Sequence, residues 1–409
     1  MAITASDNTS TLRAAAKRNV VLLALTTSIL GPVAPISIAT GGLAGQTLLG
    51  NDHMLATLPV TGFNLGVGLG AIPAALLMRR IGRKRGFMAG AGVAFLGGLV
   101  SALALIYAYF WLFALGVSVV GASYSFVAQY RFAAADYGDE DFKAKAISFV
   151  MLGGIGSAII GPQLVIFTSE ALAPYTFAGS YLAICGIAIV GMLMLAFLQP
   201  VSSPEPGGEV ETPQGRPMAQ IVRQPRFIVA TIVTISGGSL MSFVMTAAPL
   251  AMIACGFSVA SAAMGIQWHV IAMFAPSFFT GHLMTRFGKE RVVAAGLLIL
   301  VVCAIVALSG IQLWQFWLAL ILLGVGWNFA FISGTALVTT TYRHEERQRV
   351  QGVFDFLVYG FAAVASGLSG VVLNLVGWNV VNLIIFPVVA LALGCLIWLA
   401  RQPQEPVAA

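Results

Sequence analysis

Charge is what this chain has least of: Asp, Glu, Lys and Arg together make up 9% of its 409 residues. Soluble domains carry about 25%, so a soluble enzyme is excluded. Cysteine is equally sparse. The four present, Cys185, Cys255, Cys303 and Cys395, are scattered with no C-x-x-C pair, which argues against a disulfide framework and a zinc knuckle alike. The phosphate-cradling G-x-x-x-x-G-K-[ST] is missing, so direct drive by ATP through a P-loop is not expected. No catalytic constellation or enzymatic cofactor motif stands out. Carboxylates are nearly absent from the apolar stretches, and Asp355 comes nearest to lying inside one.

What fills the chain is hydrophobic: 59% of residues, with a mean hydropathy of +0.93. Apolar runs recur near 19–41, 55–78, 87–107, 110–133, 146–168, 177–198, 227–250, 261–284, 291–309, 314–337, 350–373 and 378–400. Each is long enough to cross about 30 Å of hydrocarbon as a helix. The reading is an all-α integral membrane protein of about twelve spans, lying in a lipid bilayer.

The 21 Lys and Arg residues cluster at alternate segment ends: Arg79 to Arg85, Arg131 to Lys145, Arg216 to Arg226, Arg286 to Arg291 and Arg343 to Arg349, with Arg13, Lys17 and Arg18 before them and Arg401 after. By the positive-inside rule these ends face the cytoplasm. Both termini are then cytoplasmic. The sequence pI near 9.3 is therefore topology and not a nucleic-acid footprint.

Residues 199–226 hold six of the 17 prolines along with Glu205, Glu209 and Glu211, and read as a cytoplasmic linker. It divides a six-helix bundle, 1–198, from a second, 227–409. The two are similar at an offset of 205–206 residues: Arg80-Ile81-Gly82-Arg83 answers Arg286-Phe287-Gly288-Lys289, and Gly121 answers Gly326. Two like-oriented halves of this kind resemble the major facilitator architecture. That family's loop signature is G-x-x-x-D-R-x-G-R/K. Here Arg80, Gly82 and Arg83, and again Arg286, Gly288 and Lys289, match it, but the acid is missing from both copies. Asp136, Asp139, Glu140 and Asp141 in the next loop are possible substitutes.

Two pairs in the second half carry a more specific signal. Met241 and Met245 lie in the seventh segment, His269 and Met273 in the eighth. Each pair has i, i+4 spacing, which places both side chains on one helix face. An M-x-x-x-M alone is more often packing than ligand. A histidine inside a membrane segment is harder to dismiss, because an unpaired buried polar group costs about 1–3 kcal/mol. Of the four histidines, His53, His269, His282 and His344, only His269 falls mid-membrane. Gln267 or Asn328 could bond it without any metal. Counted from an outer loop of about ten residues, Met241 and His269 are expected to lie nearly level. Three thioethers and an imidazole form a soft set suited to Cu(I), and the first half carries Pro35, Ala39, Phe63 and Val67 at the corresponding positions.

This M-x-x-x-M with H-x-x-x-M resembles the CcoA-type bacterial copper importers of the major facilitator superfamily. The resemblance implies copper import by a monomer through alternating access, with Met241, Met245, His269 and Met273 as ligands. It further implies supply of copper to cytochrome c oxidase of the cbb3 type, with copper chaperones as partners. A related branch of these transporters is associated with riboflavin. That reading makes aromatic residues near Trp268 and Trp327 matter instead. A non-transporting copper-binding assembly factor is the third alternative. Cys255, Met252 and Met264, and the pair His53-Met54, are weaker candidates for relaying metal. Gly31-Pro32 with Pro35 is expected to bend the first segment, and Gly161-Pro162 partly resembles a motif of exporter-type facilitators.

Overall fold

The computed structural model describes residues 3–50, 54–134, 140–199, 215–343 and 346–402. His53, Asp136, Asp139, His344 and linker residues 200–214 lie outside the described residues. The chain there is helical throughout, as the unbroken apolar runs require: in hydrocarbon, every backbone N–H and C=O must be satisfied within the segment.

The first crossing is α1 (Ile3–Leu30) with α2 (Val33–Leu49), interrupted at the expected Gly31-Pro32. Then come α3 (Leu58–Ile81), α4 (Arg83–Ile106) and α5 (Phe110–Ala128), the short α6 (Tyr130–Ala134), α7 (Glu140–Thr168) and α8 (Ala178–Ala196). In the second half a short α9 (Met218–Val222) precedes α10 (Pro225–Ala254). The far end of the linker is therefore structured, and Pro225 begins the helix where its missing N–H costs nothing. There follow α11 (Val259–Phe274), α12 (Ser277–Phe287), α13 (Lys289–Leu308), α14 (Leu313–Val338), α15 (Arg347–Leu383) and α16 (Ile385–Ala400).

Ten of these segments are long and apolar enough to cross a membrane, and α11 with α12, bent by 41°, makes an eleventh. The twelfth expected span is divided. Gly377, at φ 83°, breaks α15, and the residues after it continue through Ile384 into α16. Pro387 lacks the N–H that the Leu383 carbonyl needs, which accounts for the second interruption.

Close helix packing rests on small residues. A side chain on Gly66 or Gly121 would run into the backbone of Ser118 or Phe63 where α3 meets α5, the close approach that small residues permit in membranes. The loop signature keeps its turns: Gly82 and Gly288 have φ of 84° and 89°, the left-handed region only glycine enters freely. Beside the second of these turns, Glu290 pairs with Arg226 at 2.8 Å. Both partners are exposed enough that the pair is worth at most about 1 kcal/mol.

Three side-chain bonds between the halves lie away from the Lys/Arg-bearing ends. Thr57 donates to the Gly367 carbonyl (3.3 Å) and Asn64 to Ser242 (3.4 Å), while Gln163 of α7 donates to the Gln267 side chain of α11 (2.9 Å).

Candidate functional site

The loop between α10 and α11 is only residues 255–258, shorter than expected, and this shifts the depths of the four candidate residues. Met245 lies nine residues before Ala254 and His269 ten past Val259, while Met241 lies thirteen before and Met273 fourteen past. So Met241 is level with Met273, and Met245 with His269. The expected Met241–His269 level pairing is corrected. Met241 and Met273 are partly exposed and Met245 is buried.

His269 has no exposed surface. Its partner is neither Gln267 nor Asn328: Nδ1 lies 2.8 Å from the Leu320 carbonyl of α14. A carbonyl only accepts, so Nδ1 carries the proton and Nε2 keeps a lone pair. That Nε2 is buried without a partner. Gly324, one turn beyond Leu320, lets the helices meet. A side chain there would lie 2.5 Å from the His269 carbonyl and 3.0 Å from the Met273 amide.

Gln267 and Asn328 have other tasks. Gln267 accepts from Gln163 across the halves, and the same Gln163 amide touches the Met264 sulfur at 3.6 Å. Asn328 holds the bend between α11 and α12. It donates to the Met273 carbonyl (2.6 Å) and to Ser277 Oγ (2.7 Å), and accepts from Thr280 (2.7 Å). The bend arises because Pro276 offers no N–H to the preceding turn. No sequence signal singled out this role for Asn328.

The two helices that carry the pairs, α10 and α11, both pack against α14. Thr234 and Gly237 of α10 pack on Gly334 and Ala330, and Met241 and Met245 continue that stripe at helical spacing. Among the described residues, no cluster of three or more His, Cys, Asp or Glu side chains gathers. Any metal held here would rest on the thioethers with His269. Cys255 is exposed at the end of α10 and Met252 is fully buried, so the two do not present a continuous relay. Asp355 is exposed on α15 and feels the charge of Arg131 from the other half. Trp268 is 40% exposed, whereas Trp327 is partly buried and stacks on Phe331 with centroids 4.7 Å apart and planes 22° apart.

The Major Facilitator Superfamily profile matches residues 19–276 and 268–409. The chain belongs to the Major Facilitator Superfamily. Within it, the chain is 47% identical over 398 residues to the riboflavin transporter RfnT of Brucella anthropi, covering 96% of this chain and 98% of that one. It is also similar to two uncharacterized MFS-type transporters of Bacillus subtilis. YdeG is 28% identical across 92% of each chain, and YddS is 27% identical across 90% of this chain and 87% of its own. This superfamily member is thus a multi-pass membrane transporter by family. Copper import finds no support among these relatives, and the organic-solute alternative gains it.

Proposed function

We propose that this chain carries riboflavin, or a closely similar flavin, across a bacterial cytoplasmic membrane by alternating access of its two halves. The observation that carries this reading is the 47% identity to a riboflavin transporter over nearly the full length of both chains. Polar residues between the halves suit an organic solute: Asn64, Ser242, Gln163 and Gln267 are all amides or hydroxyls. The Lys- and Arg-bearing ends face the cytoplasm in this proposal, with both termini there.

Copper import through Met241, Met245, His269 and Met273 is the second reading. What favours it is the fixed Nδ1–H of His269, which leaves Nε2 as a free soft-enough donor beside thioether faces. One experiment separates the two. Cells unable to make riboflavin, expressing the chain, are scored for labelled riboflavin uptake, and copper-starved cells for copper accumulation. Riboflavin uptake without copper accumulation is expected. Copper accumulation that disappears in His269→Ala, with no riboflavin uptake, would replace the flavin reading by the copper one.

A further inference from the structure

Three close approaches set the register of α10 against α14. A methyl on Gly237 would lie 3.1 Å from the Ala330 side chain, one on Gly238 3.9 Å from the Phe331 ring, and one on Gly334 would strike Thr234. The helices run antiparallel, so one turn further along this register sets Met241 across from Trp327. On the other side of α14, the Met273 backbone is flanked by Gly324 and bonded by Asn328, three residues before Trp327 and one after it on the same helix. Met241 of α10 and the Met273 backbone of α11 thus lie along the stretch of α14 that carries Trp327, with Phe331 one turn further. All four are partly exposed.

The polar atoms here are incomplete. Trp327 Nε1 is a buried donor with no hydrogen-bond partner. Native proteins seldom leave such a group unmet, and it calls for an explanation. Simple packing explains the thioethers but not an orphaned donor on one ring of a stacked aromatic pair. A flat heteroaromatic ring with an acceptor at its edge explains it. Its face would stack on the outer face of the Trp327–Phe331 pair, thioether sulfurs would pack against its face or edge, and a ring carbonyl would accept from Trp327 Nε1.

We propose that Trp327, Phe331, Met241 and Met273 form the subsite that holds the planar ring of the transported solute. The proposal rests on the flavin reading and gives Met241 and Met273 a role in an organic site. It distinguishes Trp327 from Trp268, which is exposed.

The test uses the full-length protein purified in detergent, with riboflavin binding followed by quenching of flavin fluorescence. Trp327→Leu is expected to weaken binding about tenfold or more, and Met241→Leu by a few-fold. Trp268→Leu should leave binding unchanged. Trp327→Phe keeps a stacking face and guards against misfolding of the leucine variant; it should bind with intermediate affinity and reduced quenching. Unchanged affinity in well-folded Trp327→Phe and Met241→Leu, against a wild type that binds riboflavin, would overturn the subsite and leave the flavin reading standing. A wild type that neither binds nor transports riboflavin would overturn both.

Discussion

At the scale of single residues, Asn328 does more for this architecture than any of the residues that chemistry first singles out. One amide closes the carbonyl of Met273, the hydroxyl of Ser277 and the hydroxyl of Thr280, and so fixes the bend on which Met273 sits. Asn328→Leu fills similar volume but strands the Met273 carbonyl and frees Ser277, while Thr280 keeps its bond to the Pro276 carbonyl; the loss should cost about 1–3 kcal/mol. The thermal midpoint of the detergent-solubilised protein should fall clearly, and Thr280→Val, which leaves both Asn328 donor bonds in place, should lower it less. An unchanged midpoint in Asn328→Leu would mean the bend is held by packing alone. The contrast with His269 shows what the sequence could reveal. Its helical spacing from Met273 and its isolation in an apolar run were legible, because they depend on side-chain identity. Its partner was not, because the partner is the backbone carbonyl of Leu320, and a backbone group leaves no mark on residue type. The roles of Gln267 and Asn328 were hidden for a related reason: each depends on which helix lies alongside.

At the scale of elements, the linker and the start of α15 are joined by a pair that no motif announces. Arg216 donates through its backbone N–H and its guanidinium to Glu346 at 2.8–2.9 Å, and reaches the Thr341 carbonyl at 3.0 Å, while the Arg343 N–H also bonds the carboxylate. Hydrogen bonding from Arg216 holds the Glu346 carboxyl down to about 2, well below its ordinary 4.5. A depressed acid stabilises the fold above its unfolded pKa and loses that contribution as pH falls through its folded one. The clamp should therefore be indifferent to pH from 8 to 5 and weaken between about 4.5 and 2. Limited proteolysis at the linker, scored against pH, reads this directly. Arg216→Ala should open the linker to protease even at neutral pH and cost about 1–3 kcal/mol, since the backbone N–H groups of residues 216 and 343 still bond the carboxylate. Protection that persists in Arg216→Ala would show that the short α9 docks without the pair. The run of membrane-spanning helices was legible from apolar length, short of the divided twelfth, whereas this contact required knowing that no proline interrupts residues 218–224, which leaves α9 free to lie against α15.

At the scale of the whole molecule, three side-chain bonds that link the halves lie toward one face of the membrane, while the Lys and Arg clusters lie at the other. In the conformation described, Thr57, Asn64 and Gln163 reach across to the second half, and an alternating-access cycle has to break those bonds to open that face. Which side of the membrane it faces is open to direct measurement, since Cys255 is exposed at the end of α10 next to it, whereas Cys185 and Cys303 are buried. Partial burial raises the Cys255 thiol above its ordinary pKa, so thiolate, the reacting form, becomes plentiful only in alkaline buffer. A membrane-impermeant maleimide applied to intact cells of an outer-membrane-permeabilised strain should label the wild type, faster as pH is raised, and Cys255→Ser should abolish that labelling. The charge asymmetry then does what the positive-inside rule asks of it, and Cys255 reports the periplasmic mouth. Labelling seen only in inverted vesicles would reverse the orientation. The Gln163–Gln267 contact would then close the cytoplasmic side, and solute held at Trp327 would be reached from the periplasm.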